Sequence, residues 1–173
     1  MQTLINDLLA FSRVGRSGRE HELVDLNDVL AAAQSALAET LQAASASVEV
    51  GELPTVSGDR TQLTSLFQNL ISNAVKFRGK KKPVVRIEAV RQGEQWQLSC
   101  ADNGIGIEGE YAERIFLIFQ RLHSREAYDG SGIGLALCRK IVEYHGGRIW
   151  LDTNYSGGAC FRMALPITKE TTQ

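Results

Sequence analysis

One helical run in this chain has two faces, and that doubleness limits what the chain can fold into. Within residues 63–77, Leu63, Leu66, Phe67, Leu70, Ile71 and Ala74 recur at helical spacing and form a stripe that must pack against another layer. Asn69, Asn73 and Lys76 stand at i, i+4 and i+7 on a separate stripe of the same helix. Two amides and an ammonium beside a buried face offer neutral oxygens to a hard cation, and a positive charge to the phosphates that such a cation bridges. The same three residues also suit an ordinary solvated face, so the choice between the two rests on residues further along the chain.

Two strand-like runs, 84–90 and 95–101, are joined by a turn at Gln92-Gly93-Glu94 and lead into Asp102-Asn103-Gly104-Ile105-Gly106-Ile107. A carboxylate at a strand end, followed by a loop too rich in glycine for side chains to block, lets a planar ring approach the backbone. Asp102 could then accept a hydrogen bond from an exocyclic amine such as that of adenine. The plainer alternative is a tight Asn-Gly turn that Asp102 caps. Further on, Gly130-Ser131-Gly132-Ile133-Gly134-Leu135 runs into a helix carrying Leu137, Cys138, Ile141 and Val142. Glycines at a helix start leave backbone N–H groups free to meet an anion, and the helix dipole favours negative charge there. No Lys-Ser or Lys-Thr pair comes after these glycines, so this is not a P-loop, and the dinucleotide fingerprint is not met either.

In this order, the three elements resemble the ATP-binding region shared by sensor histidine kinases, gyrase-type topoisomerases, heat-shock chaperones of the same superfamily and mismatch-repair ATPases (GHKL, or Bergerat, superfamily). The resemblance covers nearly the whole chain. Residues 69–77 look like the kinase N box, 102–106 the first glycine box, Ile115-Phe116-Leu117-Ile118-Phe119 the phenylalanine box, and 130–135 the second glycine box. The stretches 119–126 and 7–14 further resemble kinases that follow phytochrome-like or PAS sensory modules. The fold implied is α+β, a two-layer α/β sandwich whose mixed, largely antiparallel sheet is covered on one face by three helices, with ATP between helices and a lid. By resemblance, residues 1–14 are the end of the second helix of a dimerisation hairpin, 15–22 a linker, 23–168 the catalytic ATP-binding domain and 169–173 a tail. Asn27 is expected to cap a helix running to about residue 44, and Asp59 to cap the N-box helix.

The resemblance also assigns roles. Asn69 and Asn73 would surround Mg2+, Lys76 and Arg121 would lie near the phosphates, Asp102 would meet adenine, and Gly104, Gly106, Ile107 and Phe119 would wall the nucleotide. Gly130, Gly132, Gly134 and Leu135 would form the phosphate end, and residues 120–131 a mobile lid, with Arg125 and His123 as further lid residues. The hydrolytic members carry a water-activating Glu where this chain has Asn69, and an amide is no base. A histidine kinase can do without one, because neutral imidazole attacks through a nitrogen that has no proton to remove. The family's late block reads Gly-x-Gly-Thr-x-Phe. Here it reads Ser156-Gly157-Gly158-Ala159-Cys160-Phe161, so Ala159 cannot supply the hydroxyl that helps hold adenine.

His21-Glu22-Leu23 imitates the phospho-acceptor signature but lacks the residues expected after Leu, so the acceptor histidine would be supplied by the dimerisation hairpin of a parent kinase. His145 reads as a helix C-cap favoured by the dipole. The implied partners are that hairpin and the receiver domain of a response regulator. The alternatives are an ATP-driven clamp, a nucleotide-binding regulator without transfer, or a serine kinase of the anti-sigma-factor type.

Composition agrees. A chain of 173 residues with 43% hydrophobic content supports one domain with a core, and 19 basic against 20 acidic residues give a net charge of -1. Nothing in that balance suggests a nucleic-acid surface. No apolar run reaches membrane-spanning length and no signal-peptide layout opens the chain, which leads to the expectation of a cytoplasmic location. Cys100, Cys138 and Cys160, odd in number and widely spaced, read as reduced apolar residues.

Overall fold

The computed structural model describes residues 2–16, 20–119 and 132–168. Strand β2 (Ser47–Val50) lies parallel to β4 (Val84–Gln92), and β4, β5 (Gln95–Asp102), β7 (Cys160–Pro166) and β6 (Arg148–Leu151) pair antiparallel. The resulting five-stranded sheet has the order β2-β4-β5-β7-β6. A separate two-stranded sheet pairs β1 (Glu22–Asp25) with β3 (Thr55–Gly58). Alternation sets which side of the large sheet is covered: Val85, Ile87, Leu98, Cys100, Phe161 and Met163 face the helices and are buried, while Arg86 and Glu88 are exposed.

The helical layer consists of α2 (Leu26–Ala36), α4 (Arg60–Lys76) and α5 (Gly134–Tyr144), with the short α3 (Ala38–Ala43) continuing from α2. The apolar stripe of α4 goes fully inside, with Leu63, Leu66, Phe67 and Ile71 at 0% exposure. Each such side chain contributes about 1.5–3 kcal/mol of transfer free energy. Asp59 caps α4 as expected, its side chain accepting from the Gln62 N–H. The other expected cap is corrected. Asp25 caps α2, accepting from the Asn27 N–H at 2.9 Å, because the Asn27 amide is committed elsewhere, donating to Leu53 O and accepting from Leu53 N–H. Nor does that helix run unbroken to residue 44, since Leu37 leaves helical geometry and α3 starts afresh.

Helix α1 (Gln2–Arg13) leans on α5 through Leu4, Phe11 and the buried Val14. Lys140 on α5 holds the contact, donating to Phe11 O at 2.7 Å with its ammonium 4.2 Å from the Phe11 ring. This is the packing surface that so short a helix needs. Among the described residues, no helix is long and apolar enough to cross a membrane.

Candidate functional site

Asp102 ends β5 and is bound into the backbone from two directions. Its Oδ1 accepts from Gly104 N–H at 2.9 Å, the turn-capping bond anticipated as the plainer alternative, and from Ala159 N–H at 3.0 Å. Among the described residues its Oδ2 takes no hydrogen bond. Burial pushes this carboxyl above the usual carboxylate range, opposed by the N–H groups of Ala159 and Gly104. The turn therefore uses one oxygen of Asp102 and leaves the other available to the cavity.

The carboxylate stands in the wall of a cavity that is otherwise largely apolar. Asn73 and Phe77 come from α4, Ile105, Gly106 and Ile107 from the loop after β5, and Leu135 from the start of α5. Ile115, Ala159 and Phe161 close it. Glycines set how near the loop can come. A Cβ on Gly104 would stand 2.5 Å from Phe77 O, the same carbonyl that accepts from Ile105 N–H, so the loop is seated on the end of α4. Gly106 has φ +77, which an L side chain rarely adopts, and a Cβ there would meet Gly158 O at 3.2 Å.

The other stripe of α4 is half-buried. Asn69 donates through Nδ2 to Ser65 O at 2.8 Å, which turns Oδ1 outward against α5, where a Cβ on Gly134 would lie 3.1 Å from it. Lys76 follows one turn beyond Asn73, its ammonium 5.2 Å from the Phe77 ring centre. Asn69, Lys76, Gly104, Gly132 and Gly134 flank the cavity rather than line it. Arg121 and Gly130, with the expected lid 120–131 and its His123 and Arg125, lie outside the described residues. Phe119 is 55% exposed and off the cavity wall, and its N–H donates to Gly132 O at 2.9 Å. Within the phenylalanine box it is Phe116 that faces inward, edge-on to Phe161. Among the described residues no group of three His, Cys, Asp or Glu could hold a metal. The donors available are the amide oxygens of Asn69 and Asn73, which suit a hard cation whose remaining ligands are phosphate oxygens and water.

Sequence reasoning misses several contributors. Phe77, Ile115 and Phe161 line the cavity, but apolar residues carry no local mark of what they face. Asn103 reads from the sequence only as a turn residue, yet its amide accepts from Val84 N–H at 2.8 Å and donates to Lys82 O at 3.0 Å, fixing the loop to the head of β4.

His145 also differs from expectation. It caps α5, but as a neutral ring, since Nδ1 lies 2.7 Å from Ile141 O while Nε2 accepts from Asp59 N–H at 3.0 Å. Burial holds it below the usual imidazole value, against the helix-end preference for charge. His21 stacks on it at 5.1 Å. All three cysteines are free and buried, and burial pushes their thiols up.

Comparison with known proteins places this geometry among relatives. Residues 58–169 match the family described as histidine kinase-, DNA gyrase B-, and HSP90-like ATPase. The phytochrome-like protein Cph1 of Synechocystis sp. is 44% identical over 96% of this chain, which spans 22% of that protein's length. The catalytic domain of the histidine kinase ThkA has a similar structure, with a TM-score of 0.72 and 27% identity, over 86% of this chain and 96% of that one. Full-length ShkA, solved in complex with AMPPNP, aligns at a TM-score of 0.76 and 26% identity, over 96% of this chain and 35% of that one.

Proposed function

The chain belongs to the histidine kinase-, DNA gyrase B- and HSP90-like ATPase family, and from that premise we propose that it binds Mg-ATP as the catalytic domain of a two-component sensor histidine kinase. The γ-phosphate would pass to a histidine on a dimerisation hairpin, of which Gln2–Arg13 corresponds to the end, and from there to the receiver domain of a response regulator. The observation that carries the nucleotide site is Asp102. One oxygen is saturated by the backbone and the other, among the described residues, is left bare in a largely apolar cavity, where a planar base with an exocyclic amine would satisfy it. Support for the kinase branch comes from the relatives named and from Asn69.

In this reading the base lies between Ile107, Leu135 and the Gly104–Gly106 loop, and the phosphates run toward the start of α5. Asn69 and Asn73 would hold Mg2+, which when bound neutralises charge on the phosphate oxygens. Lys76 adds positive charge on the same stripe. No residue here needs to act as a base. The lone pair of a neutral imidazole nitrogen forms the N–P bond as the bond from phosphorus to the ADP oxygen breaks, and the electron pair leaves with ADP. The half-buried Asn69 amide, held by Ser65, positions an oxygen without taking a proton.

Asp102→Asn tests the base site. The amide keeps an oxygen for the N–H groups of Gly104 and Ala159 but presents a donor to the amine, so Mg-ADP affinity by calorimetry should fall roughly ten- to a hundredfold. Discrimination against Mg-GDP should shrink with it, and equal losses for the two nucleotides would remove adenine from this cavity. The free protein should gain stability, because a carboxyl raised in the fold costs stability above its unfolded pKa, at neutral pH. That gain should vanish at acid pH, where Asp102 is protonated in both states. Phosphotransfer is tested with labelled ATP and a separate polypeptide bearing a full hairpin from a close relative. Acid-labile, alkali-stable label should collect on the hairpin histidine, in proportion to concentration. Label on His21, or multiple-turnover phosphate release without any hairpin, would favour the other readings.

A further inference from the structure

The residues Arg78-Gly79-Lys80-Lys81-Lys82 lie between the end of α4 and the head of β4 and carry four positive charges. Since the whole chain has a net charge of -1, all its other residues together carry -5. Positive charge is thus concentrated in one short loop of a molecule that is otherwise net acidic. Arg78 has a structural use: its guanidinium donates to Val75 O at 2.9 Å, at the helix end where the dipole favours a cation. The three lysines have no such use. All are exposed, and among the described residues none enters an ion pair.

Both ends of the loop are fixed at the rim of the cavity. It leaves from Phe77, which lines the cavity and whose carbonyl accepts from Ile105 N–H. It returns at Lys82, whose carbonyl accepts from Asn103 Nδ2 at 3.0 Å, and at the buried Pro83, whose carbonyl accepts from Ser47 N–H at 3.0 Å. Asn103 adjoins Asp102 in the cavity wall. Successive Cα atoms stand about 3.8 Å apart, so the Lys82 backbone lies on the order of 10 Å from that wall, comparable to the screening length of about 10 Å at 0.1 M salt. Charge at such a distance need not touch a ligand to act on its approach.

The ligand proposed for the cavity is an anion, because a magnesium nucleotide keeps net negative charge on its phosphates. Resting on that reading, we infer that Lys80, Lys81 and Lys82 are steering residues, which draw Mg-ATP to the mouth of the cavity and raise its association rate without holding it once bound. Taken together, the rest of the chain repels an anion, so this loop marks the side from which a nucleotide is attracted. Such a rim speeds encounter by about tenfold or more at low salt and leaves dissociation to the groups in contact. Lysine suits the task, being a strongly hydrated point charge on a flexible stem.

Lys80→Glu, Lys81→Glu and Lys82→Glu made together provide the test. Stopped-flow association of Mg-ADP and Mg-ATP, each carrying a fluorescent label on the ribose, should slow by about tenfold at low salt. The loss should be greater for Mg-ATP, which bears the larger charge, and dissociation should change little. At about 1 M salt, where the screening length is about 3 Å, this variant and the unmodified chain should associate equally fast. The three lysines exchanged together for arginine should keep the original rate, and the melting temperature should hold in both variants because these side chains are exposed. An unchanged association rate, a loss carried by dissociation, equal losses for the two nucleotides, a loss that survives at about 1 M salt, or one that arginine also produces would each overturn the proposal. If the unmodified chain bound no Mg-ADP, the nucleotide reading would fall and the steering with it, whereas binding at a rate indifferent to the three lysines would remove the steering alone.

Discussion

The two ends of α5 are finished on opposite terms. At its start no side chain of the described residues caps the helix, and the first residue, Gly134, brings bare backbone against the Asn69 amide oxygen. At its finish almost every polar group is closed. The His145 N–H reaches Ile141 O and Val142 O, its ring joins Ile141 O to Asp59 N–H, and Gly146 and Gly147 donate to Glu143 O and Val142 O. A helix start needs partners for its first N–H groups; α4, next door, obtains one from Asp59, and under the proposed function the start of α5 meets phosphate instead. Completeness of local hydrogen bonding thus separates the end that serves the fold from the end that we propose meets a ligand.

Removing the finished end should have the largest effect, and on stability alone. His145→Ala leaves Asp59 N–H without its acceptor and opens a buried gap, costing about 2–4 kcal/mol in denaturant unfolding, with Mg-ADP affinity of the folded protein unchanged. A loss of affinity greater than the loss of stability would erase the contrast. The same residue gives the fold a pH signature. Because folding depresses the His145 pKa, its contribution is present above the unfolded value of about 6.5 and is lost as pH falls through that value toward the folded one. The unfolding midpoint should therefore decline on acidification in the native chain, and that part of the slope should be missing from His145→Ala.

The open end should respond in the reverse sense. Gly134→Val would push a branched side chain against Asn69 Oδ1, so nucleotide affinity should drop about tenfold or more, equivalent to about 1.4 kcal/mol, while the melting temperature holds or rises because glycine is the poorer helix former. Unchanged affinity would detach this helix start from the phosphates. The smallest effect belongs to Lys140→Met. The carbonyl of Phe11 loses its donor and the ring its cation, which together contribute roughly 1 kcal/mol at a partly exposed site. Hydrogen exchange should quicken in Gln2–Arg13 with no change at α4.

Legibility in the sequence divides along the same line. The α4 stripes, the Asp59 cap and the carboxylate at the end of β5 are local patterns, set by periodicity and strand ends, and each stands where the sequence put it. The assembly of the site depends on partners far away in the chain. Asp102 is fixed by Ala159, the loop at Asn103 by Lys82 and Val84, and His145 by Asp59. Such pairings leave no trace in spacing. The exchange of Asp25 for Asn27 as a helix cap has the same origin, because two residues equally able to cap were separated only by a distant competitor, Leu53.

The bond from Phe119 N–H to Gly132 O bears on what the chain can tolerate. It holds Phe119 and Gly132, the two residues that border the stretch 120–131, side by side at one backbone bond. Closing a chain between two fixed points costs free energy that grows with the logarithm of its length, about 0.6 kcal/mol for each doubling. A short linker from Phe119 to Gly132 could therefore replace that stretch with the same bond kept, which would separate what the proposed contributions of Arg121 and Gly130 do for nucleotide from what the described residues do for the fold.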